Sequence, residues 1–120
     1  VAVKPAVIDV KVLSTQENLE AAIKGESYEA TIMYPNFLKE AKVADNQMAL
    51  ISLNYAYKTE KKHQAFYEVA LAALNSNKVN TLATTYFVCP TCGNTYETQA
   101  PKRCGISMTS GEKFIKINTL

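Results

Sequence analysis

The chain lacks most of what would assign it to a class at once. No apolar run approaches the roughly 18 residues of a membrane span, so no membrane crossing is expected. Neither charge sign dominates: 13 basic and 11 acidic residues leave a net charge of +2. That balance offers no field to attract nucleic acid or an anionic membrane, and neither is expected as a partner. Val1 to Val12 lack the basic start, apolar block and small-residue cleavage site of a signal peptide. The chain begins with Val and not Met, as a processed chain, a fragment or a trimmed chain would. No internal repeat or low-complexity tract stands out. Cysteine is scarce and odd in number, Cys89, Cys92 and Cys104, which argues against a closed disulfide framework. Free thiols point to a reducing compartment, and the cytoplasm is the expected location. What remains is a globular composition, 48% apolar and 20% charged over 120 residues. That is one ordinary domain or two small ones.

Residues 1–14 are rich in β-branched side chains and contain Pro5, which predicts an extended arm. Ser14-Thr15-Gln16-Glu17 has the form of a capping box, with Ser14 as N-cap and Glu17 reaching back. Leu19, Ala22, Ile23, Ala30, Met33, Phe37 and Ala41 then recur at spacings that put them on one helical face. A first helix is expected over about 15–43, kinked or locally opened at Pro35. Asp45 or Asn46 can cap a second helix over about 46–76, with a stripe of Ala49, Leu53, Ala56, Phe66, Val69, Ala70 and Leu74. Two long helices joined by so short a turn form an antiparallel hairpin. The expected units are thus an arm over 1–14, a helical hairpin over 15–77, a linker over 78–85 and a small strand-rich unit over 86–120.

The informative residues are polar ones inside apolar stripes. Glu26 and Glu29 fall on the inward face of the first helix, and Glu60 and His63 on that of the second. Buried carboxylates are costly unless paired or bound to a metal. Residues three apart on a helix project side by side, so Glu60 and His63 form one two-ligand unit and Glu26 and Glu29 another. An isolated Glu-x-x-His is ordinarily a solvated surface pair. Its occurrence opposite a second carboxylate pair, in register with both stripes, points to a metal. Glu-x-x-His combined with glutamates is a known donor pattern of ferritin-like di-iron and di-manganese bundles. Mixed carboxylate and imidazole donors suit iron or manganese. Tyr28, Tyr34, Tyr55, Tyr57 and Tyr67 read as core or boundary aromatics. In the last third, Cys89-Pro90-Thr91-Cys92-Gly93 is a turn that can aim two thiolates at one metal.

At these residues the chain resembles a family. Gly25-Glu26-Ser27-Tyr28-Glu29 with Met33-Tyr34-Pro35-Asn36-Phe37 resembles the third helix of rubrerythrin, and Glu60-Lys61-Lys62-His63 its fourth. Cys89-Pro90-Thr91-Cys92-Gly93, Tyr96, Pro101-Lys102-Arg103-Cys104 and Gly111-Glu112-Lys113-Phe114 resemble its rubredoxin-like domain. The resemblance spans about residues 14–118. It implies a mainly α fold: an antiparallel hairpin forming half of a ferritin-like four-helix bundle, then a small rubredoxin-like metal domain. It implies a cytoplasmic non-haem iron peroxidase that reduces hydrogen peroxide at a di-iron site. Electrons would come through a rubredoxin-type iron, from a separate reductase or rubredoxin as donor. Glu26, Glu29, Glu60 and His63 would be di-iron ligands, Tyr34 a tyrosine beside them, and Cys89, Cys92 and Cys104 ligands of the single iron.

Two departures from the family are visible. The first helix pair is absent, so a twofold homodimer would have to complete the bundle, unless the chain is a fragment. Ser107 stands where the fourth cysteine belongs. The cysteine site can then bind iron with an oxygen ligand, bind zinc, or be empty. The competing reading is a non-enzymatic electron-transfer or metal-stabilised protein with an incomplete site.

Overall fold

A computed structural model describes residues 11–118. The arm expected over 1–14 lies mostly outside the described residues; residues 11–14 are neither helix nor strand. Helix α1 (Thr15–Tyr28) starts on the expected capping box: the Glu17 amide donates to Ser14 Oγ at 3.3 Å, and the Ser14 amide donates to Glu17 Oε2 at 3.0 Å. Two orphan donors of the first turn are satisfied reciprocally. The Ser14 side chain, by hydrogen bonding, holds the Glu17 carboxyl below its usual range.

Helix α1 runs into a π-helical turn, Glu29–Met33, and then into α2 (Tyr34–Val43). The opening expected at Pro35 is therefore met just upstream of it. The proline has no amide and its ring crowds the carbonyl four residues back, that of Thr31. Widening the turn relieves this, and the Tyr34 amide reaches the Glu29 carbonyl five residues back. The wide turn inserts one residue into the helical register, and the inward face shifts with it. Phe37, expected inside, is 41% exposed, while Tyr34 and Leu38 turn inward and Ala41 is buried.

The α2 helix closes with Asp45 in the left-handed region at φ 48°. The Asn46 amide donates to Ala41 O at 3.0 Å and the Asp45 amide to Lys42 O at 3.1 Å. This pair of bonds is the Schellman closure. Asn46 then caps the next helix, α3 (Gln47–Asn75), accepting from the Ala49 amide at 3.0 Å. One residue thus ends one helix and begins the next, which makes the hairpin turn short. Helix α3 ends the same way around Asn77, at φ 60°, with the Lys78 amide donating to Ala73 O at 2.7 Å. The stretch expected as a linker contains a single 3₁₀ turn, Val79–Thr81.

The hairpin has a thin core. Its buried side chains are Ala30, Ala41, Ala73 and Thr59, whereas Ile32, Ile51 and Val69 are about half exposed. Val69, expected in the apolar stripe, lies on the uncovered flank instead. The remaining residues build an antiparallel sheet of three short strands, β1 (Tyr86–Val88), β2 (Thr95–Glu97) and β3 (Ile115–Ile117), in the order β2-β1-β3. Phe87 pairs with Tyr96 on one side and Lys116 on the other. This mainly helical architecture with a small terminal sheet is the fold class expected. The small unit docks on α3 through three successive turns of the helix. The Thr59 hydroxyl donates to the Cys92 carbonyl at 2.8 Å, the His63 ring faces Gly93 and Thr95, and Phe66 meets Tyr86 edge-on at 6.3 Å.

Gly111 fixes the far side of the sheet unit. A Cβ there would overlap the Pro101 carbonyl oxygen. Gly111→Ala should therefore cost about 1–3 kcal/mol of stability, as overpacking does, read by urea unfolding of the small unit's tyrosine signal.

Candidate metal centres

Midway along the hairpin, α1 and α3 bring Glu26, Glu60 and His63 together. One donor atom from each lies within 4.8 Å of the others. His63 Nδ1 is 2.9 Å from Glu60 Oε2 and 4.0 Å from Glu26 Oε1. On its other side, Nε2 is 3.3 Å from the Gly93 carbonyl and 3.4 Å from Thr95 Oγ1. A carbonyl can only accept, so Nε2 bonded there carries the proton. In a neutral ring Nδ1 is then an acceptor, and its 2.9 Å approach to Glu60 Oε2 calls for a proton or a cation between the two atoms.

These groups are half-buried, and Glu26 Oε2 is buried with no hydrogen-bond partner. Burial raises the Glu26 carboxyl to about 7, assisted by hydrogen bonding and repulsion from Glu60 and opposed by His63. A solvent-excluded, unpartnered oxygen beside a second carboxylate and an imidazole lone pair is a donor set that a cation satisfies. Oxygen and nitrogen donors of this kind fit iron or manganese.

Glu29, at the head of the π turn, is not one of the converging three. It lies near enough to raise Glu26 and Tyr34 by its charge. Tyr34 also borders the cluster: burial first, then Glu60, Glu29 and Glu26, hold its phenol above the usual range. Tyr67, read from sequence as a packing aromatic, is a second phenol on the cluster, raised by burial and by Glu26 and Glu60. Its place one helical turn beyond His63 was the available signal. Thr59 and Gly93 had no such signal, because their role arises only when the small unit docks.

Cys89, Cys92 and Cys104 form the second cluster, with sulfurs within 4.8 Å of one another and Cys92 Sγ 3.5 Å from Cys104 Sγ. Cys89 and Cys104 are buried. Burial alone would raise the Cys104 thiol, but the Ser107 and Ile106 amides and the Ser107 hydroxyl outweigh it and bring it to about 6. Burial is likewise outweighed at Cys89, where Ser107 and the Cys92 and Thr91 amides lower the thiol; at Cys92 burial prevails and the thiol is raised. Backbone amides aimed at sulfur are the environment in which thiolates bind metal. Ser107 lies at this cluster, its hydroxyl 3.3 Å from Cys89 Sγ.

Comparison with known proteins places these features in context. The rubrerythrin family model matches residues 2–71. Rubrerythrin-2 of Clostridium acetobutylicum is 32% identical over 98 residues, covering 82% of this chain and 53% of that protein. Nigerythrin of Nitratidesulfovibrio vulgaris is 29% identical over 111 residues, covering 92% of this chain and 53% of that one. The solved structure of fully reduced, all-ferrous nigerythrin is similar with a TM-score of 0.83 and 25% identity, over 97% of this chain and 55% of that chain. The chain spans about half the length of the relatives it matches.

The Glu26 carboxyl gives a pH dependence whose sign is fixed. Its folded-state value is raised from 4.5 to about 7, so folding favours the protonated form. Its contribution to stability is complete below the unfolded value and is lost as pH rises through about 7. Metal-free protein should melt at a lower temperature at about pH 8 than at about pH 5.5, and Glu26→Gln should flatten that slope. Thermal melts in chelator across this range check it; an unchanged slope in Glu26→Gln would show that another group is responsible.

Proposed function

This chain belongs to the rubrerythrin family, and from that premise we propose that it is a non-haem iron oxidoreductase that reduces hydrogen peroxide to water. The observation that carries the reading is the pairing of two clusters. Glu26, Glu60 and His63 form one, with a buried oxygen lacking a partner, and three cysteines docked against the same helix form the other. In this reading Glu26, Glu29, Glu60 and His63 hold a di-iron site, and Cys89, Cys92 and Cys104 hold a single iron. The all-ferrous state named for the nigerythrin relative is consistent with iron as the metal.

A di-iron group held there would supply the two electrons of peroxide reduction, and an iron held by the cysteines would be the source that replaces them. The chain's own residues do the rest. Glu26 and Glu60 supply oxygens whose negative charge is costly without a cation. His63 is oriented by its Nε2 contact to the Gly93 carbonyl, which turns Nδ1 toward Glu60 and Glu26. Tyr34 and Tyr67, both held protonated by burial and by the neighbouring carboxylates, keep hydroxyl donors at the edge of the cluster. The docked small unit sets Gly93 and Thr95 against the Nε2 edge of His63. Thr59, bonded to the Cys92 carbonyl, keeps the two clusters in one register.

The described hairpin offers two helices of a four-helix site and leaves Ile32, Ile51 and Val69 about half exposed. A second copy of the hairpin, related by a twofold axis, covers such a face and doubles the donor set, so the proposed unit is a homodimer. No described helix is long and apolar enough to cross a membrane, and the proposed location is the cytoplasm. The proposed electron donor is a separate reductase or rubredoxin. The proposed partition is a hairpin over 15–77 and a rubredoxin-like domain over 86–120, joined by a linker over 78–85.

Anaerobic, iron-loaded protein mixed with hydrogen peroxide tests this. The expected result is a dimer by native mass spectrometry and rapid, stoichiometric oxidation of its ferrous iron. Glu60→Ala should abolish that oxidation by at least about 100-fold, as loss of a metal ligand does, while Cys89→Ala keeps the first turnover and loses re-reduction. Ferrous protein indifferent to peroxide would overturn the reading and favour a non-enzymatic electron carrier.

A further inference from the structure

The cysteine cluster is built from two loops, and they are the same loop twice. In the first, the Cys89 amide donates to the Asn94 carbonyl at 2.9 Å, and the Gly93 amide returns to the Cys89 carbonyl at 2.9 Å. In the second, the Cys104 amide donates to the Thr109 carbonyl at 2.8 Å, and the Met108 amide returns to the Cys104 carbonyl at 3.0 Å. The offsets are identical, five residues and four. The fifth residue of each loop, Gly93 and Met108, has a left-handed backbone at φ 77° and 61°. Keeping Met in that region has an energetic cost, so the second loop retains the shape although its sequence does not favour it.

The second loop also carries a donor to its cysteine: the Ile106 amide donates to Cys104 Sγ at 3.4 Å. The Thr109 amide reaches Ser107 Oγ at 3.4 Å, and Ser107 stands three residues after Cys104 as Cys92 stands three after Cys89. Ser107 is therefore the counterpart of Cys92. Its hydroxyl lies within hydrogen-bond reach of the buried Cys89 sulfur, at the open side of the three-sulfur cluster. A tetrahedral ion with metal–sulfur bonds of about 2.3 Å and a metal–oxygen bond of about 2.0 Å has a sulfur–oxygen edge of about 3.5 Å. Ser107 Oγ stands 3.3 Å from Cys89 Sγ.

One feature distinguishes the serine corner from its cysteine counterpart. Ser107 Oγ is 2.8 Å from Thr109 Oγ1, which is 2.7 Å from Thr91 Oγ1. The position equivalent to Thr109 in the first loop is Asn94, whose amide group turns to the Tyr96 hydroxyl at 2.9 Å. A hydroxyl neighbour suits an oxygen donor, whose lone pairs it orients and whose charge it stabilises.

We infer that Ser107 is a metal ligand, and that Cys89, Cys92, Cys104 and Ser107 form a closed three-sulfur, one-oxygen site with Thr109 as the residue that positions the serine oxygen. This rests on the proposed reading of the cysteine cluster as a metal centre and goes beyond it in assigning the fourth donor. The serine is not the scar of a lost site, because the loop that carries it keeps a ligand loop's hydrogen bonds.

Cobalt(II) added to the full chain tests this, since sulfur-to-cobalt absorption reports the cysteine site separately from the carboxylate cluster. X-ray absorption of the zinc form should give three sulfurs at about 2.3 Å and one oxygen at about 2.0 Å, and Ser107→Cys four sulfurs. A water could mimic the oxygen, so an added thiol is the decisive probe. Wild-type cobalt protein should leave its spectrum unchanged in millimolar 2-mercaptoethanol. Ser107→Ala should take the thiol up, gain a fourth sulfur-to-cobalt contribution and bind cobalt about 10-fold more weakly. Thr109→Val should weaken cobalt binding without admitting the thiol. Wild-type protein that takes up the thiol as readily as Ser107→Ala overturns the assignment and leaves a three-cysteine centre standing. No sulfur-to-cobalt absorption in wild type or in Ser107→Cys overturns both the assignment and the metal-centre reading beneath it.

Discussion

Two half-buried carboxylates held side by side set the terms for the rest of this molecule. Glu26 and Glu60 come from different helices and meet at His63, and the buried Oε2 of Glu26 has no hydrogen-bond partner. A protein can keep such an arrangement by protonating one group or by binding a cation. Either way the hairpin must hold its helices at a fixed separation and register. The Schellman closure at Asp45, the shared cap at Asn46 and the wide turn before Pro35 together set that register. The hairpin's geometry is thus tied to its least comfortable residues and not to a large apolar core. Only small side chains are fully buried between the helices.

Much of this was legible in the sequence. Capping at Ser14 and Glu17, the break at Asp45 and Asn46, and the inward carboxylates all follow from local pattern. Those signals act over three or four residues, and nothing distant overrides them. Phe37 was misplaced for a physical reason: a helical wheel assumes a constant turn, and the π turn inserts one residue. Pro35 announced an opening but not its width. Tyr67 was visible as a position and not as a role, because its proximity to Glu26 depends on how two helices cross. The contacts of Thr59 with Cys92 and of His63 with Gly93 span some thirty residues, and no periodicity records them.

The two halves of the chain solve the problem of small size differently. The hairpin leaves apolar side chains such as Ile51 and Val69 about half exposed on one flank. The terminal unit has strands of three residues each, too short to stand alone, and draws its order from loops wrapped around sulfur. The repeated loop also shows how backbone conformation can outlast the residue that favours it. Gly93 takes the left-handed position without strain, whereas Met108 takes it with strain, held by the same pair of hydrogen bonds.

The seam along α3 has a thermodynamic corollary. Gly93, one residue after Cys92, presents its carbonyl to His63, and Thr59 grips the Cys92 carbonyl directly. The loop that follows Cys92 is therefore also the orienting partner of the histidine in the other cluster. Any ion that rigidifies this loop lowers the entropy cost of presenting His63, and any ion that fixes His63 lowers the cost of ordering the loop. By linkage the two effects are equal in free energy. An ion held at one cluster would in this way favour an ion at the other, across a single helix face.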